Sequence, residues 1–254
     1  MARSIGAARF VLGAMSLCAA VLLSGFPLAA SEPLRRAAAR GDFGAIARLI
    51  AAKAPLEGKD ATGQTALLLA VAGGHVAVAK ALIEAGADVN AIAANRDTPW
   101  LLAGARGRTA MLEAMWPKGP DLSLRNRYGG SALIPACHYD HVETVRFLLT
   151  TSIDVNLVND LGWTCLLEIV LLTDGGKRAQ ENTQQVLAAG ADPNIKDKDG
   201  VSALTHAQRR GLAEVARLIA GKGGRERPRG MECAWLEAGA RGRVVVDFRC
   251  CLAQ

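Results

Sequence analysis

The sequence predicts an all-α solenoid of about six helix-turn-helix units with β-hairpin-type loops. Two series of residues carry that reading. Asp88-Val89-Asn90 returns as Asp121-Leu122-Ser123, Asp154-Val155-Asn156 and Asp192-Pro193-Asn194. A second landmark keeps the same beat in Thr65-Ala66-Leu67, Thr98-Pro99-Trp100, Ser131-Ala132-Leu133, Thr164-Cys165-Leu166 and Ser202-Ala203-Leu204, at steps of 33, 33, 33 and 38 residues. A fixed period in this range marks stacked supersecondary units. Each unit is too small to bury its apolar face alone, so neighbours must stack to make the core.

Six units start at Glu32, Thr65, Thr98, Ser131, Thr164 and Ser202. The first is degenerate, Pro33-Leu34-Arg35-Arg36-Ala37-Ala38 followed by Gly41-Asp42, as expected of an end unit with one face toward water. The second reads best. Leu67, Leu69, Ala70 and Val71 make a short apolar helix, Gly74-His75 breaks it, and Val78, Ala81, Leu82 and Ile83 continue at helical spacing. Gly86 then supplies a stop where a positive φ costs least. The third opens with Thr98 and has Pro99 at the first helical position, where no N–H is needed. It has Ala93 and Arg96 where the second unit has Asp60 and Gly63, so an irregular hairpin is expected there. In the fourth, Pro135 should shorten or bend the first helix. The fifth carries five extra residues around Thr173-Asp174-Gly175-Gly176-Lys177, so a protruding loop is expected.

The pattern of Thr-Pro-Leu, Ala, Gly-His, a Val/Leu run and Gly-Ala-Asp-Val-Asn resembles the ankyrin repeat over residues 32–223. The chain departs from it after the Leu. Where the family has His, this sequence has Leu68, Leu101, Ile134, Leu167 and Thr205, so the bonds that His makes across the hairpin are made otherwise or lost. The resemblance implies a non-catalytic scaffold that binds another protein on a concave face of hairpin tips and first-helix ends. On that map fall the chain's two tyrosines, Tyr128 and Tyr139, together with Arg127, Trp163, Leu161, His138 and Arg106. Tyr, Trp and Arg dominate interface hot spots. Leu171 and Leu172 sit nearby, exposed for a partner or covered by the long loop. Trp100 and Trp116 fall on core positions. Some exported bacterial members of the family are linked to the support of a periplasmic redox enzyme such as a catalase.

The net charge of +6 does not favour nucleic acid. Arg3 and Arg9 and the segment 221–254 hold most of it, leaving +1 on the repeat body. A phosphate-binding surface would place a basic stripe on the folded domain. No cofactor or small-molecule substrate is expected, because stacked units form no central cleft.

Residues 1–30 read as a signal peptide. Phe10 to Leu23 is apolar and uncharged, Gly25 and Pro27 break it, and Leu28-Ala29-Ala30 places cleavage at Ala30/Ser31. The destination is then the periplasm or the exterior. The rival reading is an uncleaved membrane anchor, and a secreted effector binding a host protein would use the same surface. Residues 31–223 form the repeat domain, and 224–254 an Arg/Gly-rich tail expected to be poorly ordered.

Cys137, Cys165, Cys233, Cys250 and Cys251 follow the segment in an odd number without regular spacing, which is no disulfide framework. Cys137 is expected as a small buried hydrophobe, and a bond from Cys233 to Cys250 or Cys251 stays open. His75 and His141 fall at Gly-His turn positions. His138 and His141 suit a metal by spacing, yet a helix should end between them near Asp140, so no metal is assigned. A catalytic or metal protein around Cys137, His138 and His141 is the rival of a different class. Asp197 and Asp199, with Asn194 and Gly200, look in part like a calcium loop but lack the terminal Glu and coincide with the hairpin.

Overall fold

The computed structural model describes residues 26–226. Most of the export segment, and the tail with Cys233, Cys250 and Cys251, lie outside the described residues.

Among the described residues, twelve α-helices form six pairs. They are α1 (Phe26–Arg40) with α2 (Phe43–Ala51), α3 (Ala66–Gly73) with α4 (Val76–Glu84), and α5 (Pro99–Ala105) with α6 (Thr109–Met115). Then come α7 (Leu133–His138) with α8 (Val142–Leu148), α9 (Cys165–Leu172) with α10 (Lys177–Ala188), and α11 (Ala203–Arg209) with α12 (Ala213–Gly221). First helices pack on first helices and second on second, giving two layers. The core lies between and within them and includes Leu67, Val71, Leu82, Leu112, Leu133, Leu148, Leu166 and Val186. Each fully buried Leu contributes roughly 1.5–3 kcal/mol, so the layers hold by burial repeated along the stack.

The periodic residues are the joints. Thr65, Thr98, Thr164 and Ser202 cap their helices by accepting from the N–H three residues on, at 3.3, 3.2, 3.2 and 3.3 Å. The carbonyls of these four caps also accept the first helical bond, from Leu69, Leu102, Glu168 and His206. In the fourth unit the corresponding donor is Pro135, which has no N–H. As expected, α7 is short: it begins at Leu133 and has six residues. In the Asp-x-Asn series each Asp Oδ1 accepts from the N–H two residues later, at 2.8–2.9 Å. Asn90, Asn156 and Asn194 reach the following unit. Asn156 donates to the Gly190 carbonyl at 3.2 Å and accepts from the Asp192 N–H at 2.8 Å.

The hairpins are closed by two backbone bonds each and contain no strand among the described residues, only an isolated bridge between Lys196 and Ser202. The third unit's hairpin is regular, contrary to expectation. Ala93 donates to the Asp97 carbonyl at 2.9 Å, and Arg96 takes φ +66° where Gly63, Gly129, Gly162 and Gly200 stand in other units. What is missing is the side-chain acceptor that Asp60, Asn126, Asn159 and Asp197 provide.

The family's hairpin His is replaced twice, one position later. Asn159 donates to Glu168 at 3.0 Å, and His206 bonds Asp197 at 2.6 Å. Asp197 Oδ1 also accepts from Asp199 and Val201, so this carboxylate serves its own hairpin.

The fifth unit's extra residues lengthen α10 to 12 residues, where the other second helices have 7 to 9. The rest form a loop tied down by bonds from Gly175 to Thr173 Oγ1 and from Gln180 to the Gly175 carbonyl. It lies against Leu212 of the next unit instead of protruding. Trp100 is buried as expected. Trp116 is not: it is 38% exposed at the start of a 3₁₀ turn and rests on Trp100 at 5.9 Å between ring centroids.

Cys137 is not a free thiol. It forms a disulfide with Cys165, joining α7 to α9 across neighbouring units, with both residues buried. The two lie 28 residues apart on stacked first helices, one near a helix end and one at a helix start.

Candidate functional site

A groove of about 990 Å³ runs between the hairpin tips of the third to fifth units and the ends of α5, α7 and α9. All seven residues singled out from the sequence line it: Arg106, Arg127, Tyr128, His138, Tyr139, Leu161 and Trp163. Leu172 joins them, while Leu171 is half-buried against the core.

The tips are held by their own side chains. Asn126 Oδ1 accepts from the N–H groups of Tyr128 and Gly130 at 2.9 and 3.0 Å. Asn159 Oδ1 does the same for Leu161 and Trp163, both at 3.0 Å. The two tips are joined where Asp160 N–H donates to the Tyr128 carbonyl at 2.9 Å. Rings placed on such tips lose little freedom on binding, which favours affinity. Tyr128 and Tyr139 are 50% and 58% exposed, and Leu161 and Leu172 are 46% and 41% exposed. Apolar and aromatic side chains of that size, gathered in one concavity, mark a partner site.

At the helix ends, the His138 and Tyr139 rings stack at 4.3 Å and Tyr139 lies 6.0 Å from His141. His141 bonds the Ala105 carbonyl, and its burial holds the ring below the ordinary histidine range. The ring lies over Gly107, where φ is +63° and a Cβ would stand 2.7 Å from it, so only glycine meets both demands.

One groove residue carried no flag in the sequence reading. Glu168 is 4% exposed and lies within the otherwise apolar run Leu166-Leu167-Glu168-Ile169-Val170. Its carboxylate meets His138 Nδ1 at 3.1 Å and accepts from Asn159 at 3.0 Å. Burial pushes its pKa above the usual carboxylate range, and the His138 charge and these bonds oppose that shift. A lone acid inside an apolar helix is the signal that would have found it.

Arg106, Arg108 and Arg127 stand on the same side. None forms a salt bridge among the described residues. The Arg127 guanidinium lies over the Tyr128 ring, 4.6 Å from its centroid. Arg108 Nε is buried without a hydrogen-bond partner. Cys137, His138 and His141 form no common cluster: Cys137 is in the disulfide, His138 faces Glu168 and His141 faces Ala105.

A two-layer stack of capped helix pairs with a lined face of hairpin tips defines an ankyrin-repeat protein, and the chain belongs to the ankyrin-repeat family. The family model described as "Ankyrin repeats (3 copies)" matches residues 13–93, and "Ankyrin repeat" matches residues 128–160. Among solved structures, an ankyrin repeat domain from Acinetobacter baumannii AYE is 44% identical with a TM-score of 0.73, covering 76% of this chain and 98% of that one. The ankyrin repeat protein EF0377 is 36% identical with a TM-score of 0.72, covering 75% and 97%. The "Putative ankyrin repeat protein YahD" of Escherichia coli K12 is 44% identical over 105 residues, 41% of this chain and 52% of that protein. The chain thus matches about half the length of this curated relative. The ankyrin fold is in general a binding scaffold for other proteins.

Proposed function

We propose that this chain is a non-catalytic, exported scaffold that binds a partner protein in the groove of its third to fifth units. The observation that carries the reading is the convergence of Tyr128, Tyr139, Leu161 and Leu172, all exposed, on one preformed concavity. Central aromatic anchors ringed by polar groups are where binding energy concentrates. Export is supported by the apolar segment before Gly25 and by the Cys137–Cys165 bond, since disulfides persist in oxidising compartments such as the periplasm. Ser31 is buried and its Oγ accepts from Arg35 at 2.5 Å, so a chain cut after Ala30 keeps this contact. Among the described residues no helix is long and apolar enough to cross a membrane.

The test is affinity capture from periplasmic extract with wild type and with Tyr128→Ala/Trp163→Ala. The proposal expects a partner recovered by wild type and depleted with the variant, both folded by circular dichroism at the capture temperature. Equal recovery by both forms would remove the groove from the account. Fractionation of cells expressing the full chain tests export: the protein in the cytosol with an intact N-terminus would contradict it.

A further inference from the structure

Resting on that reading of the groove, we propose that its ligand is an acidic segment of the partner in which carboxylates stand beside aromatic or leucine side chains. The lining is divided. Arg106, Arg108 and Arg127 supply three guanidinium groups from the third and fourth units, and Leu161, Trp163 and Leu172 supply apolar surface from the fifth. The arginines have no internal carboxylate at salt-bridge distance among the described residues.

The two acids of the lining do not meet this need. Glu168 is buried and held by His138 and Asn159; Asp97 accepts from Asn95 at 2.7 Å and acts on Arg127 through space without forming a salt bridge. With three guanidinium groups against these two acids, the groove presents an excess of positive charge to whatever enters it. Guanidinium groups bind carboxylates through paired hydrogen bonds and are weakly hydrated, so the exchange of water for a carboxylate is favourable there. Arg127 already lies over the Tyr128 ring, which places cation and ring as one surface. A ligand that satisfies both halves carries acid at the third and fourth units and an apolar side chain at the fifth.

Phosphates of a single-stranded nucleic acid would also meet arginines and rings. The repeat body has a net charge of only +1, and the apolar half offers leucines where a strand would need further cations. A peptide fits both halves.

The experiment selects a displayed library of random peptides on the full chain, then measures one selected peptide, fluorescently labelled, against variants. The expected result is enrichment of Asp and Glu next to Phe, Trp or Leu. Affinity should fall about five- to tenfold in Arg106→Gln/Arg127→Gln, as loss of two partly exposed ion pairs implies, and should weaken with added salt. Arg106→Glu/Arg127→Glu should reject acidic peptides and accept basic ones.

Enrichment of basic or uncharged apolar peptides, with binding lost in Tyr128→Ala/Trp163→Ala, would overturn the acidic ligand and leave the groove as the site. Acidic peptides indifferent to both the arginine and the aromatic variants would overturn the inference and the groove together. Displacement of the peptide by an equimolar thymidine oligonucleotide, or no enrichment at all, would also overturn it.

Discussion

Reducing the Cys137–Cys165 bond should destabilise the repeat domain strongly. The bond closes a loop with a sequence separation of 28 residues. The chain entropy restored to the unfolded state by opening such a loop corresponds to about 3.5 kcal/mol. Both sulfurs are buried, and the two thiols of the reduced form would fill nearly the same space, so packing changes little. For a domain of this size each kcal/mol moves the melting midpoint by about 2–4 °C, which gives a fall of about 7–14 °C. The assay compares protein unfolded and refolded with and without reductant, with thiols counted in denaturant. Midpoints that coincide, in samples whose thiol counts differ by two, would refute the loop-closure reasoning. An oxidised sample in which Cys137 and Cys165 both titrate would refute the pairing.

The remaining predictions concern the backbone, the core and the buried acid. Arg96→Gly should stabilise the protein by about 0.5–1 kcal/mol, because relief of a non-glycine residue at φ +66° exceeds the added freedom of the unfolded chain. Gly129→Ala at the same hairpin position should destabilise it, its Cβ landing 2.4 Å from Asp160; the two shifts with equal sign in denaturant unfolding would contradict this. Leu82→Ala, at a fully buried position of α4, should cost about 2–5 kcal/mol, and an unchanged unfolding midpoint would contradict the assigned stacking. Burial holds the Glu168 carboxyl above its ordinary value of 4.5, so the folded state keeps this proton more tightly than the unfolded one. That contribution is fully present below the ordinary value and is lost as pH rises through the raised one. Glu168→Gln, neutral throughout, should therefore gain on wild type in melting midpoint as pH rises above the ordinary carboxylate value of 4.5. A gap independent of pH would contradict the buried acid.

The stack was legible because each landmark residue has a bonding duty. Thr65, Thr98 and Thr164 are caps, and the Asp-x-Asn residues shape the turn and, in Asn90, Asn156 and Asn194, hold the next unit. Residues with such duties recur at the period, so the register could be read from them. The groove was legible for a related reason: Tyr128, Tyr139 and Trp163 occupy offsets set by the same register. What escaped depends on pairs of residues in different units. Cys137 and Cys165 differ in offset, and only the stacking of α7 on α9 brings them together. Glu168 looked like one more helix residue until Asn159 and His138 closed over it from two other segments. The regular hairpin of the third unit was not legible because Ala93 and Arg96 replace the usual Asp and Gly, and only the structure shows the exposed arginine taking the positive φ.

The central claim is that binding takes place in the groove of the third to fifth units. Hydrogen exchange on the full chain, with and without its captured partner, measures this most directly. The account predicts protection at the tips 126–130 and 159–163 and at the helix ends 138–141 and 168–172. Protection confined to α4, α6 and α8, with those four segments unchanged, would contradict it.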